Sequence, residues 1–98
     1  MSGEHLREAM ERLASSMSAD PAKARAKNAP AIARLEAGLR CEVSGPYGER
    51  LVTDMPPAVG GERSGPNPGW LLRAALASCT ATVIAMRAAK LGVALDIL

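Results

Sequence analysis

Two cysteines, Cys41 and Cys79, are the residues of this 98-residue chain whose type is best suited to covalent chemistry. The thiolate of a cysteine is a nucleophile that can be oxidised and reduced again. The chain has a single histidine, His5, so we expect no metal site and no serine–histidine–acid triad. It has no phosphate-binding glycine loop, and we expect no cofactor. Thiol chemistry is therefore the first possibility to consider.

The position of Cys79 also fits an ordinary structural role. It lies on an apolar stripe in the middle of a predicted helix, where a free cysteine is usually a small buried residue. The helix dipole acts over the first and last turns and does not reach it. Cys41 lies on a predicted strand, where an inward-facing residue is the simplest interpretation. A reactive thiolate would need a cation or base supplied by tertiary structure.

The stretch from Gly65 to Leu91 predicts one long helix. Asn67 is a good N-cap, and Pro68 suits the first helical position because its missing N–H would have no partner there. Lys90 suits the negative end of a helix, and Gly92 can take the left-handed conformation that commonly ends one. We therefore expect a helix that begins at Pro68 and ends before Gly92.

This helix carries two neighbouring stripes that other parts of the protein must cover. The first consists mostly of small residues: Leu71, Ala75, Ser78, Thr82, Ala85 and Ala89. The second is bulkier and mostly apolar: Leu72, Leu76, Cys79, Val83, Met86 and Lys90. The only face that reads as solvated is that of Arg73, Thr80 and Arg87. Because a helix this apolar is covered on several sides, we expect a homodimer or higher oligomer.

Shorter elements come before and after this helix. The patterns predict an amphipathic helix over residues 3–18 and a short helix from Pro21 to about Lys27. They predict strands over residues 39–43 and 50–55 with a turn over residues 44–49 between them. A loop over residues 56–66 follows, and another strand is predicted to start at Val93. Residues 31–37 are ambiguous, because their composition favours helix while Pro30 and Gly38 bracket them tightly.

Composition and charge argue against several classes of function. The net charge of +2 is too small to imply nucleic-acid binding, and Lys23, Arg25 and Lys27 are typical of a solvated face. The first residues lack an apolar run, which argues against a signal peptide. Arg73 and Arg87 interrupt the long helix, which argues against a membrane span. We expect a soluble cytoplasmic protein whose cysteines are thiols.

The run GPNPGWLLRAALASCTATVIAMRAAKLGVALD, residues 65–96, resembles the central helix of the OsmC/Ohr family, proteins of osmotic induction and organic hydroperoxide resistance. Its most telling pieces are Asn67-Pro68, Ala74-Ala75 and Ala77-Ser78-Cys79, and the resemblance extends over residues 31–98. It implies an intertwined homodimer and a strand that starts at residue 32 and continues through the ambiguous segment. It also implies a second half, with more strands and a second long helix, which these residues do not include.

The resemblance assigns a peroxidatic role to Cys79, because the family's helix cysteine attacks a hydroperoxide. The family's hydroperoxidases also supply a glutamate at the position of Gly69 and an arginine near Pro46, and neither residue matches here. Arg50, a few residues beyond the turn, is the nearest substitute for that arginine. We therefore name Cys79 and Arg50 as the candidate catalytic residues.

Other polar residues are weaker candidates. Arg40 and Arg63 are more typical of solvated surface charges. Asp54 and Glu62 are strand-end or loop carboxylates without a visible partner. The family's resolving cysteine belongs to the second half, and Cys41 does not match its position. We therefore expect no functional disulfide between the two cysteines of this chain.

Together these features predict an α+β, OsmC-like fold in which a β-hairpin packs on the long central helix. Residues 1–30 would form a helical extension, and residues 31–98 the first part of an OsmC-like domain. The implied function is thiol-dependent reduction of organic hydroperoxides through Cys79 by a thiol reductant. The alternative is a non-catalytic dimeric binding or structural module, which the departures at Gly69 and Pro46 favour. The retained Ala77-Ser78-Cys79 favours the enzyme.

Overall fold

The computed structural model describes residues 3–96 and shows an α+β protein. Its elements are helix α1 (Glu4–Ala19), a 3₁₀ turn (Pro21–Ala24), strands β1 (Ile32–Ala37), β2 (Arg40–Ser44) and β3 (Arg50–Thr53), a second 3₁₀ turn (Pro57–Val59) and helix α2 (Pro68–Leu91). The chain divides into two compact units, one of Asn28–Ala75 and one of the residues before and after that range. Helix α2 contributes residues to both units.

The three strands form one antiparallel sheet in the order β1-β2-β3. The expected single strand from residue 32 to 43 is wrong, because the chain reverses at Gly38 and forms two paired strands. Gly38 has a φ of 58°, a left-handed conformation that glycine adopts without steric cost. The turn places Leu35 of β1 opposite Cys41 of β2.

The expected hairpin from the second strand onward is confirmed as β2–β3, with Val43 opposite Leu51. The Gly45 N–H donates to the Glu49 carbonyl across its turn. β3 ends at Thr53, two residues before the expected end, because Asp54 leads the chain into the following loop. Within Asn28–Ala75, the extensive contacts of the sheet are between its own strands. The expected packing of the hairpin on the long helix is therefore not seen in this unit.

Both ends of α2 follow the sequence prediction. The Asn67 side chain accepts a hydrogen bond from the Trp70 N–H at 2.8 Å, which caps the first turn. Gly92 has a φ of 70°, and the N–H groups of Gly92 and Val93 donate to the carbonyls of Ala89 and Ala88. This is the Schellman arrangement that ends many helices.

Two sequence predictions about short elements are wrong. The strand expected to start at Val93 is not found over residues 93–96, because the Val93 N–H bonds back to the end of α2. Residues 97 and 98, the other part of that prediction, lie outside the described residues. The helix expected from Pro21 to about Lys27 is one 3₁₀ turn that ends at Ala24, since Arg25 takes an extended conformation.

Little of the described chain is fully buried. Among residues 3–96, Ala88 and Ala89 are the buried apolar residues, and Thr53 and Asp54 are the buried polar ones. Several bulky residues of α2, by contrast, are exposed: Leu72, Leu76, Val83, Ile84 and Met86. These side chains give α2 a large exposed apolar surface.

Candidate functional site

Cys79 lies midway along α2 and is exposed in the single chain. The interpretation of Cys79 as a small buried residue is therefore wrong for this chain. Its neighbours one helical turn away on the same stripe are also exposed, with Leu76 at 67% and Val83 at 58% of their full accessible surface. The thiol thus lies on an apolar surface that a solvent-borne molecule can reach.

Cys41 is half-buried in the middle strand of the sheet. It pairs with Leu35 on one side and Thr53 on the other, which fits the expected structural role. Cys41 and Cys79 are both free thiols. They belong to different compact units. The expectation that they form no functional disulfide stays a prediction.

Arg50 begins β3, and its guanidinium binds a carboxylate of the neighbouring strand. Its Nη2 lies 2.8 Å from Oε1 of Glu42, which is two positions along the ladder on the same face of the sheet. The hydrogen bond from Arg50, and then its charge, hold the pKa of Glu42 below its ordinary value. Arg50 therefore pairs with Glu42 in this chain. A role for Arg50 beside Cys79 stays a prediction.

The structure also places the two residues at which the chain differs from the OsmC/Ohr hydroperoxidases. Gly69 is the second residue of α2, and Pro46 is an exposed residue of the β2–β3 turn. Neither can donate or accept a side-chain proton. Arg40 is paired with Glu36 at 3.0 Å, in keeping with its expected surface role.

The polar centre that sequence reasoning missed is Asp54, directly after β3. Its side chain is only 2% exposed, although it reads in the sequence as a carboxylate without a partner. Its Oδ1 accepts the Met55 N–H at 2.7 Å. Its Oδ2 accepts the N–H groups of Glu62 and Ser64 at 3.3 and 3.1 Å, together with the Ser64 hydroxyl. Asp54 therefore ties the far end of the following loop to the end of β3.

These hydrogen bonds also set the ionisation of Asp54. The Ser64 hydroxyl is the largest influence, followed by the Met55 and Ser64 N–H groups, and together they lower the pKa of Asp54 to about 2. The carboxylate is thus charged at every physiological pH. A short carboxylate between a strand end and a loop rich in Gly and Pro was the one sequence signal for this role.

Two further properties bear on ligands and location. Among residues 3–96, no group of three or more His, Cys, Asp or Glu side chains is placed to hold a metal ion. Helix α2 is long and apolar enough, by length and composition alone, to cross a membrane. Central helices of soluble proteins can have the same length and apolar composition.

Comparison with protein-family models, curated proteins and solved structures finds no match to this chain.

Proposed function

We propose that this protein is a cytoplasmic, thiol-dependent peroxidase that reduces organic hydroperoxides through Cys79. The observation that carries the proposal is the exposure of Cys79 in the middle of an apolar helix face. A catalytic cysteine must be reachable by its substrate, whereas a cysteine that only fills space is buried. The resemblance of Ala77-Ser78-Cys79 to the OsmC/Ohr helix supports the same role.

The reaction needs a thiol reductant as well as the hydroperoxide. The Cys79 thiolate attacks the terminal peroxide oxygen, so that an S–O bond forms and the O–O bond breaks. The alkoxide leaves and takes a proton to become an alcohol, and Cys79 becomes a sulfenic acid. One reductant thiol then condenses with the sulfenic acid and releases water. A second reductant thiol displaces Cys79, which returns as a thiol while the reductant becomes a disulfide.

The surface around Cys79 favours a hydroperoxide with an apolar group. Leu72, Leu76, Val83 and Met86 follow the same stripe and leave apolar side chains exposed on both sides of the thiol. Burying such surface against an alkyl or aryl group contributes about 25 cal/mol per Å². Hydrogen peroxide, which has no apolar group, gains nothing from it.

We expect the chain to turn over cumene hydroperoxide slowly, and Cys79→Ser to abolish that turnover. The unmodified chain should be slow because Gly69 and Pro46 supply neither the acid nor the cation of the hydroperoxidases it resembles. One lost charge-assisted hydrogen bond to the thiolate slows attack by roughly ten- to a hundredfold. The double variant Pro46→Arg, Gly69→Glu should therefore be faster. The measurement is alcohol formation with a dithiol reductant present.

Cys41→Ser is the matched control for this experiment, since it removes a thiol from the sheet and leaves Cys79 in place. It should retain the activity of the unmodified chain. Equal activity in Cys79→Ser and the unmodified chain would rule out Cys79 as the nucleophile. No activity in any of the four proteins would instead favour the second candidate function.

That second candidate is a non-catalytic homodimeric module, in which α2 of one chain packs on a second copy. The exposed Leu72, Leu76 and Val83 favour it, because apolar patches of this kind on a soluble protein mark interaction sites. A dimeric peroxidase would have to leave Cys79 accessible, whereas in this module the second copy covers the stripe that holds the thiol. For both candidate functions we also propose that the sheet packs against the helices as in the OsmC/Ohr fold.

We expect Val83→Lys to convert the dimer to monomer at micromolar concentration. Val83 is exposed in the single chain, so lysine there does not disturb the fold of the monomer, but it would place an unpaired charge in the interface. Thr80→Lys, on the solvated face of the same helix, is the control and should leave the dimer intact. Light scattering gives the mass of each variant. A monomeric unmodified chain with a cooperative thermal transition would contradict the dimer.

A further inference from the structure

A cavity of about 450 Å³ lies within Asn28–Ala75, beside the loop that Asp54 holds. The residues that form its walls include Met55, Pro56, Arg63, Pro66, Asn67 and Trp70. Its size is within the range of sites for small organic molecules. We propose that this cavity binds a small aromatic carboxylate, with the ring against Trp70 and the prolines and the carboxylate paired with Arg63. This inference does not rest on the peroxidase function.

The positive charge of Arg63 in the wall of the cavity favours a negatively charged ligand. Within residues 3–96, Arg63 is one of several arginines that make no ion pair, and it is the arginine that lines this cavity. Arg63 is also exposed, so its guanidinium is accessible to a molecule in solution. The planar guanidinium fork matches a carboxylate with two parallel hydrogen bonds. A carboxylate is therefore the group that Arg63 would hold best.

The backbone of Arg63 is held in one conformation before any ligand arrives. Its φ of 53° is left-handed, and every other described residue with a positive φ is a glycine. The N–H groups of Glu62 and Ser64 bind Asp54, and the N–H of Arg63 donates to the Met55 carbonyl at 3.0 Å. Because the loop is ordered by these bonds, a ligand does not have to order it.

The charges around the cavity favour a monoanion. Asp54 also borders it, but both of its oxygens already accept hydrogen bonds from the loop. Arg63 is the other charged residue of the walls. The single positive charge of its guanidinium matches the single negative charge of a monocarboxylate.

An aromatic group is favoured by the other walls. Trp70 is half-exposed, at 51% of its full surface, and the flanking prolines are apolar and rigid. An indole stacks well on an aromatic ring, with a gain beyond that of buried area alone. An aliphatic acid of the same charge lacks this contribution.

Trp70 is also the reporter for the test, because it is the only tryptophan of the chain. Benzoate and its neutral isostere benzamide are titrated into the protein while tryptophan emission is followed. We expect a saturable change with benzoate, with Kd on the order of 1 mM, and binding of benzamide that is weaker by roughly tenfold or more. Equal binding of the two compounds, or no saturable response to benzoate, would overturn the proposal.

Arg63→Gly separates binding from folding. Glycine suits the left-handed conformation, so the variant should be as stable as the unmodified chain or more stable, yet bind benzoate roughly tenfold more weakly or not at all. Arg63→Asn, which also tolerates this conformation, should behave in the same way. Arg50→Gln removes an arginine that is already paired and lies outside the cavity, so its affinity for benzoate should not change.

Two outcomes of the variant series would contradict binding of the carboxylate at Arg63. Unchanged affinity in both Arg63 variants would show that the carboxylate does not bind there. A loss in Arg50→Gln as large as in Arg63→Gly would show a response to net charge only. Cys79→Ser should bind benzoate normally, so a failure of either proposal leaves the other standing.

Discussion

Replacing Asp54 by asparagine will release the loop of residues 55–66 from the end of β3. Oδ2 of Asp54 accepts two N–H groups and a hydroxyl, and an amide can keep an acceptor at only one of its two positions. The –NH₂ group would then face either the Met55 N–H or the donors of Glu62 and Ser64, so at least one buried N–H loses its acceptor in either orientation. A buried donor that loses its acceptor is strongly unfavourable, so we expect a melting temperature lower by roughly 5 °C or more.

Hydrogen exchange locates this effect within the chain. The amides of Glu62 and Ser64 should exchange much faster in Asp54→Asn, whereas those of the β2–β3 ladder, such as Leu51, should keep their protection. Glu62→Gln removes an exposed carboxylate from the same loop. It should change neither the melting temperature nor the exchange rates of these amides. If the Glu62 and Ser64 amides exchange at unchanged rates in Asp54→Asn, the carboxylate does not hold the loop.

The same group predicts an acid dependence of stability. The pKa of Asp54 is about 2 in the folded protein, against an ordinary value of 3.8. A lowered folded pKa means that the stabilisation is complete above the unfolded value and is lost as pH falls from about 4 towards 2. Asp54→Asn has no proton to bind at this site. The difference in stability between the two proteins should therefore shrink over that interval and stay constant above about pH 5.

Gly61→Ala will disrupt the same loop by a steric route. A Cβ on Gly61 would overlap the Met55 carbonyl oxygen, far inside any real contact. Because that oxygen belongs to the backbone and accepts the Arg63 N–H, neither side can move without breaking the loop. We expect a loss of about 3 kcal/mol or more in the free energy of unfolding. Denaturant titration measures it.

Gly38→Ala is the matched control for Gly61→Ala. A Cβ on Gly38 would meet nothing within 4 Å, so this substitution carries only the left-handed backbone cost of about 1–2 kcal/mol. The steric prediction is wrong if the two substitutions destabilise the protein equally. Loss of benzoate binding in Gly61→Ala and its retention in Gly38→Ala would further tie the cavity to this loop.

The sequence by itself determined helix α2 and the β2–β3 hairpin. The signals for these elements are local: Asn67 caps within three residues, Gly92 ends the helix within its own turn, and residues 45–49 close the hairpin between its strands. Hydrogen bonds between near neighbours follow from the residue types alone. The solvated charges Lys23, Arg25 and Lys27 were predictable for the same reason.

Only the tertiary structure decided the parts that depend on distant partners. Gly38 could bend within one strand or separate two, and the pairing of β1 with β2 selects the second. Asp54 becomes buried because Glu62 and Ser64, eight and ten residues away, return to it. The exposure of Cys79 depends on what covers α2, which periodicity does not specify. Spacing along a chain fixes neighbours within a turn, whereas burial depends on which distant segments meet.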